Sequence, residues 1–247
     1  MISQETITLL NNLSNKFETA DFIVGDPSWF MHQVKSQPDK EATAFVAAAL
    51  SYGNRQQFMQ KIQIIMNFAD NHIDNYIRSG KYKSDFQERD NRSFYRLYSY
   101  SMMHEFFEVF QSILINYGSL GEFIADKAST AMEALEMIKT YFAQRGISTI
   151  IPKSTSSACK RLCMFLRWMV RDSSPVDLVL WRNIIDKRSL IIPLDTHVLS
   201  EANNLNLIKS HSATMTTAIR LTDILKEVFP DDPMRGDFAL FGYGVNK

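Results

Sequence analysis

Residues 191–199, Ile191-Ile192-Pro193-Leu194-Asp195-Thr196-His197-Val198-Leu199, set one carboxylate between two apolar runs, two residues after a proline. A charge inside a stretch that otherwise reads as core has a local explanation. Aspartate is a favoured helix N-cap, because its side chain accepts a hydrogen bond from an N–H that the first turn leaves open. The residues that follow, through Asn203, carry a helical pattern. A functional explanation requires a partner for the carboxylate elsewhere in the chain.

Outward from this stretch, nearly every segment repeats apolar residues at helical spacing, and none alternates as a half-buried strand does. Ile7, Leu10, Leu13 and Phe17 open the pattern, and Asp26-Pro27-Ser28 marks a turn or helix start. Asp39 is expected to cap a helix over 40–52, Gly53-Asn54 to end it, and 56–72 to form the next. Residues 80–93 are polar and read as loop. Further helices are expected over 94–117, 128–144, 154–171, 176–185, 195–203, 213–229 and 232–242. Nine glycines and seven prolines are few for this length, which suits short connections. The fold class is therefore all-α with about ten helices, and no repeat or long linker separates independent domains.

The 247 residues suffice for one large domain or two interlocked lobes. A hydrophobic content of 45% and a charged content of 22% are ordinary for a soluble protein. No apolar run approaches the ~20 residues of a membrane span, so no membrane partner is expected. The first residues, Met1 to Glu5, lack a basic region leading into an apolar core, so a cytoplasmic location is expected. Cys159 and Cys163 share a helix face but lie too far along it for an unstrained disulfide. They read as buried reduced thiols. No metal or cofactor is expected, and two cysteines cannot hold an iron–sulfur cluster.

A partner for Asp195 is offered by residues 152–172, PKSTSSACKRLCMFLRWMVRD. The polar turn Lys153–Ser157 leads into a helix with Leu162, Phe165, Leu166 and Met169 on its buried stripe. Lys160 falls near the helix start, beside the small residues Ser157, Ala158 and Cys159. A first turn there also offers N–H groups that suit a phosphate. The whole chain has a formal net charge of zero, yet residues 145–188 hold nine cations against three acids, an excess of six. That excess reads either as a local polyanion contact or as a solvated face balanced by acids elsewhere.

Taken together, a helix-turn-helix with a lysine just inside its second helix, then an apolar approach to PLDTHV, resembles the helix-hairpin-helix DNA glycosylase superfamily. IPLDTHV (192–198) is similar to that superfamily's aspartate motif, and the 35-residue gap from Lys160 to Asp195 looks most like the archaeal 8-oxoguanine glycosylase branch. The match is closer to a mainly bacterial family of conserved hypothetical proteins, a domain of unknown function. It rests on SACKRLCMFLRWMVR (157–171), IPLDTHV (192–198), AFVAAALSYGNR (44–55) and DFALFGYGV (237–245). The resemblance implies a two-lobed bundle with a central cleft, with 40–150 as a central lobe and 1–39 plus 151–247 carrying the hairpin and terminal helices. One departure is that Ser156 and Ser157 stand where the superfamily's hairpin is glycine-rich, whereas glycine lets a backbone approach phosphate closely.

The resemblance implies base-excision repair of an oxidised purine in damaged duplex DNA, with a nucleoid-associated location. Lys160, freed of its proton by partial desolvation, would attack the sugar and form a Schiff base that permits strand cleavage. Asp195 would stabilise the cationic sugar. Lys153, Ser156, Ser157, Arg161 and Arg167 are the expected DNA contacts around the turn. Asn54, Arg55 and Gln56 are either further contacts or a capped helix end. Trp168 reads as a stacking platform or as core, His197 as a support for the carboxylate or an interfacial histidine, and Asp237 as an N-cap or a base contact. The alternative is a non-catalytic nucleic-acid-binding protein that keeps the same scaffold.

Overall fold

Oxygen-bearing side chains start most of the long helices. Ser3, Ser36, Asn54, Ser99, Ser119, Asp195 and Thr214 each accept a hydrogen bond from a first-turn N–H, and so satisfy donors that a helix start leaves unpaired. The computed structural model describes residues 2–245, so Met1 lies outside it. In chain order the elements are α1 (Gln4–Phe17), α2 (Ser28–His32), α3 (Gln37–Leu50), α4 (Arg55–Phe68), α5 (Ile73–Arg78), α6 (Tyr82–Asp85), β1 (Ser93–Tyr95), β2 (Tyr98–Ser99), α7 (Tyr100–Tyr117), α8 (Leu120–Ala125), α9 (Ala131–Ala143), α10 (Lys160–Val170), α11 (Thr196–Asn204), α12 (Met215–Lys226) and α13 (Arg235–Val245). The protein is mostly helical, with thirteen α-helices and one two-stranded hairpin among the described residues. Several helices beyond the expected ten are single turns, too short to leave a periodic signature. No described helix is long and apolar enough to cross a membrane.

The chain packs as two units. Met1–Val24, Ser129–Glu136 and Ser154–Lys247 form the first; Gly25–Ala128 and Met137–Lys153 form the second. In the first, α1 and α11 both pack on α13. The α1 contact is close because Gly242 lacks a side chain: a Cβ there would meet Phe17 Cγ at 2.4 Å. Phe22 completes the seam, edge-on to Phe238 at 4.9 Å and to Phe241 at 6.0 Å. Helix α10 buries almost its whole circumference, and Phe165 meets Trp181 edge-on at 5.2 Å.

Two expectations around α10 are corrected. The helix begins at Lys160 rather than 154, because Cys159 takes a left-handed conformation (φ 47°) that ends the helical path backwards. Residues 176–185 form no helix. Arg171 Nη1 donates to Asp177 Oδ2 at 2.6 Å, which folds the chain back along the end of α10. The N–H groups of Leu178 and Trp181 then bond the carbonyls of Trp168 and Met169 at 2.7 and 2.8 Å. Those are carbonyls that a helix C-terminus leaves open. Val179 adopts φ 62° within this strap, an unusual conformation for a β-branched residue.

In the second unit α3 is buried nearly all round. Its Phe45 sits against Phe106, Phe110 and Phe142 with ring centroids 4.8–5.8 Å apart. Its buried Glu41 accepts the N–H groups of Leu120 and Gly121 at 2.8 and 3.1 Å, capping α8 from a distance. The cap of α3 itself is Ser36, not Asp39; Asp39 instead accepts from the Ser36 hydroxyl at 2.7 Å and from Asp74 N at 3.1 Å. The helix expected over 94–117 begins only at Tyr100. Arg96 (φ 51°) turns the chain between β1 and β2, and Ser99 caps α7. The aromatic run 94–100 mimicked helical spacing while pairing as a hairpin. Within 80–93, expected as loop, Tyr82 opens α6, and Tyr82 and Phe86 are core residues.

The α1–α13 seam yields a stability prediction. Gly242→Ala places a methyl group inside Phe17 and is expected to destabilise the protein by ~1–3 kcal/mol, as overpacking does. Urea denaturation checks this, and an unchanged midpoint contradicts it.

Candidate functional site

Asp195 is held from three sides before it meets any partner. The apolar residues Ile191 to Leu194 are buried, and Ile192 N donates to Thr222 Oγ1 of α12 at 3.0 Å. This pins the approach, so the next residue emerges at the start of α11. There Asp195 Oδ1 accepts the N–H groups of His197 and Val198 at 3.0 and 2.9 Å. Its other oxygen, Oδ2, lies 2.8 Å from Lys160 Nζ. One carboxylate therefore caps a helix and pairs with an amine at once.

Lys160 is the first residue of α10, and the turn before it is fixed as well. Ser157 pairs with Thr214 in an isolated bridge, and Ala158 N donates to Ala213 O at 3.2 Å. The left-handed residue sits at Cys159, where a non-glycine backbone costs ~1–2 kcal/mol. The side chain of Lys160 is 35% exposed and that of Asp195 14%, so the pair is reachable from solvent. Phe241 of α13 lies beneath the amine, its ring centroid 5.7 Å from Nζ. His197 meets the same ring edge-on at 6.4 Å and is itself exposed.

A buried layer of charge backs this pair. Lys160 and Arg167 lie seven positions apart in α10, and Arg171, the residue that ends the helix, follows four later. Arg167 bonds Asp237 through Nη1 and lies 3.4 Å from Asp177 through Nε. Arg171 donates to Asp177 at 2.6 Å and to Asp232 at 2.7 Å, and also pairs with Glu18. Both guanidiniums rest near the Phe238 ring, at 4.6 and 5.2 Å. A polar cleft of about 340 Å³ opens at the Arg171 end, lined by Asn15, Glu18, Arg171, Ser173, Asp232 and Arg235.

This layer corrects two readings and decides a third between its alternatives. Arg167, expected on DNA, is buried and ion-paired. Asp237, read first as an N-cap, lies inside α13 and holds Arg167. Trp168 is fully buried, so it is core and no stacking platform. The cationic excess over 145–188 is largely answered from outside that window: by Asp195 for Lys160, Asp237 for Arg167, and Glu18 with Asp232 for Arg171. Asp172 holds Arg182 and Lys187, and Asp186 holds Arg188. Sequence reasoning passed over Asp177, Asp232 and Glu18. The available signal was Arg167 and Arg171, set within and directly after the otherwise apolar run Leu162–Val170.

Of the remaining expected residues, Ser156 and Ser157 are exposed in the turn before α10, and Arg161 is half-buried at its second position. In the second unit Lys153 is exposed. There Asn54 caps α4 by accepting from Gln57 N at 3.1 Å, Arg55 lies 3.8 Å from Asp26, and Gln56 is exposed. Cys159 and Cys163 are buried free thiols, and burial pushes the Cys163 thiol up. Among the described residues no group of three or more His, Cys, Asp or Glu side chains could hold a metal ion.

The family model described as "Protein of unknown function (DUF2400)" matches residues 26–246, a span that includes Lys160, Asp195 and Asp237. No curated protein and no solved structure matches the chain.

Burial pushes the Asp237 carboxyl up to about 6, against the pull of Arg167, and the Asp195 charge adds to the rise. A carboxyl whose pKa is higher folded than unfolded favours folding through its protonated form. That contribution is complete below its ordinary value of 3.8 and is lost as pH climbs to about 6. Wild-type protein is therefore expected to lose stability relative to Asp237→Asn across this window, with parallel behaviour above it. Denaturation midpoints of the two proteins from pH 4 to 7 test this, and identical pH profiles contradict it.

Proposed function

Because the chain belongs to this family of unknown function, its chemistry has to be read from its own residues, and we propose that it is a DNA base-excision glycosylase with lyase activity. The 2.8 Å contact between Lys160 Nζ and Asp195 Oδ2 carries the reading. Two residues 35 positions apart, each at a helix start, form an accessible amine–carboxylate pair. The resemblance of IPLDTHV to the helix-hairpin-helix glycosylase motif supports the same assignment, as does its archaeal 8-oxoguanine branch for an oxidised purine as substrate. Exposed Ser156 and Ser157, with Arg161, flank Lys160 in sequence and suit a phosphate backbone.

In this reading a flipped nucleotide presents its sugar to Lys160. The ammonium passes its proton to the departing base, and the amine lone pair forms a bond to C1′. The C1′–N bond breaks, and its electron pair leaves with the base. The Asp195 carboxylate stabilises the positive charge that develops on the sugar. Because Oδ1 is fixed by two backbone N–H groups, the carboxylate needs no reorientation to do so. Opening of the sugar ring yields a Schiff base on Lys160. Loss of the 2′ proton then expels the 3′ phosphate and nicks the strand. Phe241 gives the amine an aromatic face on that side.

Borohydride reduces such a Schiff base to a stable cross-link. Wild-type protein is expected to form one on duplexes bearing an oxidised purine or an abasic site, and Lys160→Gln to form none. Asp195→Asn should slow base release by ~10²-fold or more. It should cost at most about 1 kcal/mol of stability, because asparagine is also a good N-cap. Absence of any adduct on oxidised, deaminated or abasic duplexes overturns the proposal. Salt-dependent binding that survives Lys160→Ala and Asp195→Ala, with no strand chemistry, would leave a non-catalytic binder.

A further inference from the structure

Helix α11 starts at the Asp195 cap and, near its other end, clamps a second stretch of chain, residues 209–214. Asn203 holds both backbone groups of Ser210: its Nδ2 donates to Ser210 O at 2.8 Å, and its Oδ1 accepts from Ser210 N at 3.0 Å. Within the loop the Ser210 hydroxyl donates to Ser212 O at 3.3 Å. At the far end Thr214 caps α12 and pairs with Ser157, while Ala213 O accepts from Ala158 N at 3.2 Å. The segment is thus tied at one end to α11 and at the other to the turn before α10. Lys209, His211 and Ser212 are exposed on it, as are Ser156 and Ser157 in the turn.

The two paired segments share a charge bias. Residues 145–171 and 202–222 contain no acid. The carboxylates of α11 and its cap are engaged or buried: Asp195 by Lys160 and the helix backbone, Glu201 in the core. Asp223 shares the outer face of α12 with Arg220, three positions before it, so Arg220 is no part of this surface. Hydroxyls and cationic side chains without a competing carboxylate are the groups that take up phosphate oxygens. Asp195 and Asn203 lie eight residues apart, about 12 Å along the axis of α11. At about 3.4 Å per nucleotide, that is roughly three to four phosphates along a strand.

We infer that Lys209 and His211 bind the phosphate backbone of DNA roughly three to four nucleotides from the sugar that faces Asp195. Helix α11 is the spacer that sets this distance. The inference rests on the nucleic-acid role proposed above and extends it to a segment outside the motifs that carry the resemblance.

Each phosphate neutralised by a cation steepens the fall of log affinity with log salt by ~0.9. Anisotropy of a labelled duplex bearing an abasic-site analogue, followed between about 50 and 200 mM salt, therefore counts the contact. Lys209→Ala, with its fold checked by circular dichroism, is expected to lower the slope by ~1, and Lys209→Arg to restore it. Lys127→Ala, an exposed lysine of the second unit, should leave the slope unchanged. His211→Ala should weaken binding roughly twofold or more. An unchanged slope with Lys209→Ala, an equal fall with Lys127→Ala, or no duplex binding by wild-type protein overturns the surface; full affinity with His211→Ala removes His211 from it. Borohydride trapping on a single-stranded abasic oligonucleotide at saturating protein reports the Lys160 chemistry separately. Trapping with an unchanged slope removes the surface alone, and a lowered slope without trapping removes the lyase and leaves the surface.

Discussion

Two guanidinium groups inside the hydrocarbon interior impose the strongest constraint on the first unit. A buried charge without a partner costs several kcal/mol, so Arg167 and Arg171 must be met by carboxylates wherever these come from. They come from far apart in the chain: Glu18 after α1, Asp177 in the strap, Asp232 before α13 and Asp237 within it. Hydrophobic contact alone would let helices slide and rotate against one another. Ion pairs with directed hydrogen bonds allow far fewer arrangements, and here they set how α1, α10 and α13 meet. The same face of α10 ends in Lys160, and α13 carries Phe241 one turn after Asp237. The geometry around the amine is therefore set by the buried layer behind it.

The interaction at Asp195 shows how a structural and a chemical role occupy one side chain. Its two oxygens are divided between the N-terminus of α11 and Lys160. The capping bonds fix the orientation of the second oxygen, so the two roles reinforce each other. A polar group held by backbone donors is already organised for the charge it faces, which is the economy that electrostatic catalysis requires. The second unit does not need this kind of ionic frame. Its centre is an alanine-rich helix surrounded by phenylalanine rings, and its buried Glu41 is satisfied by the backbone of α8.

The long helices were legible because apolar spacing is a local signal. The N-cap at Asp195 and the break between α3 and α4 at Gly53-Asn54 were legible for the same reason. Misreadings arose where a distant group decided the outcome. Residues 176–185 carry helical spacing, but Asp177 is claimed by Arg171. Phe94 to Ser99 has the aromatic density of a buried helix, but Tyr95 and Tyr98, each with its ring 5.0 Å from that of Tyr52, lie in a hairpin. A charge count over consecutive residues could not see that Asp237 and Asp232, some sixty to seventy positions away, answer Arg167 and Arg171. Lys160 and Asp195 were put forward together by the family resemblance, but their contact is seen only in the structure, because nothing in either segment alone names the other.

The strap that follows α10 has no regular secondary structure, yet its backbone is tied down. Leu178 and Trp181 donate to the last turn of that helix, and Asp172 and Asp177 anchor the same stretch through Lys187, Arg182 and Arg171. Irregular conformation and mobility are separate properties. Amide protons at 178 and 181 should therefore exchange with solvent on the slow timescale of the helix they extend, so that a segment drawn as coil belongs, in its opening dynamics, to the same cooperative foldon as α10.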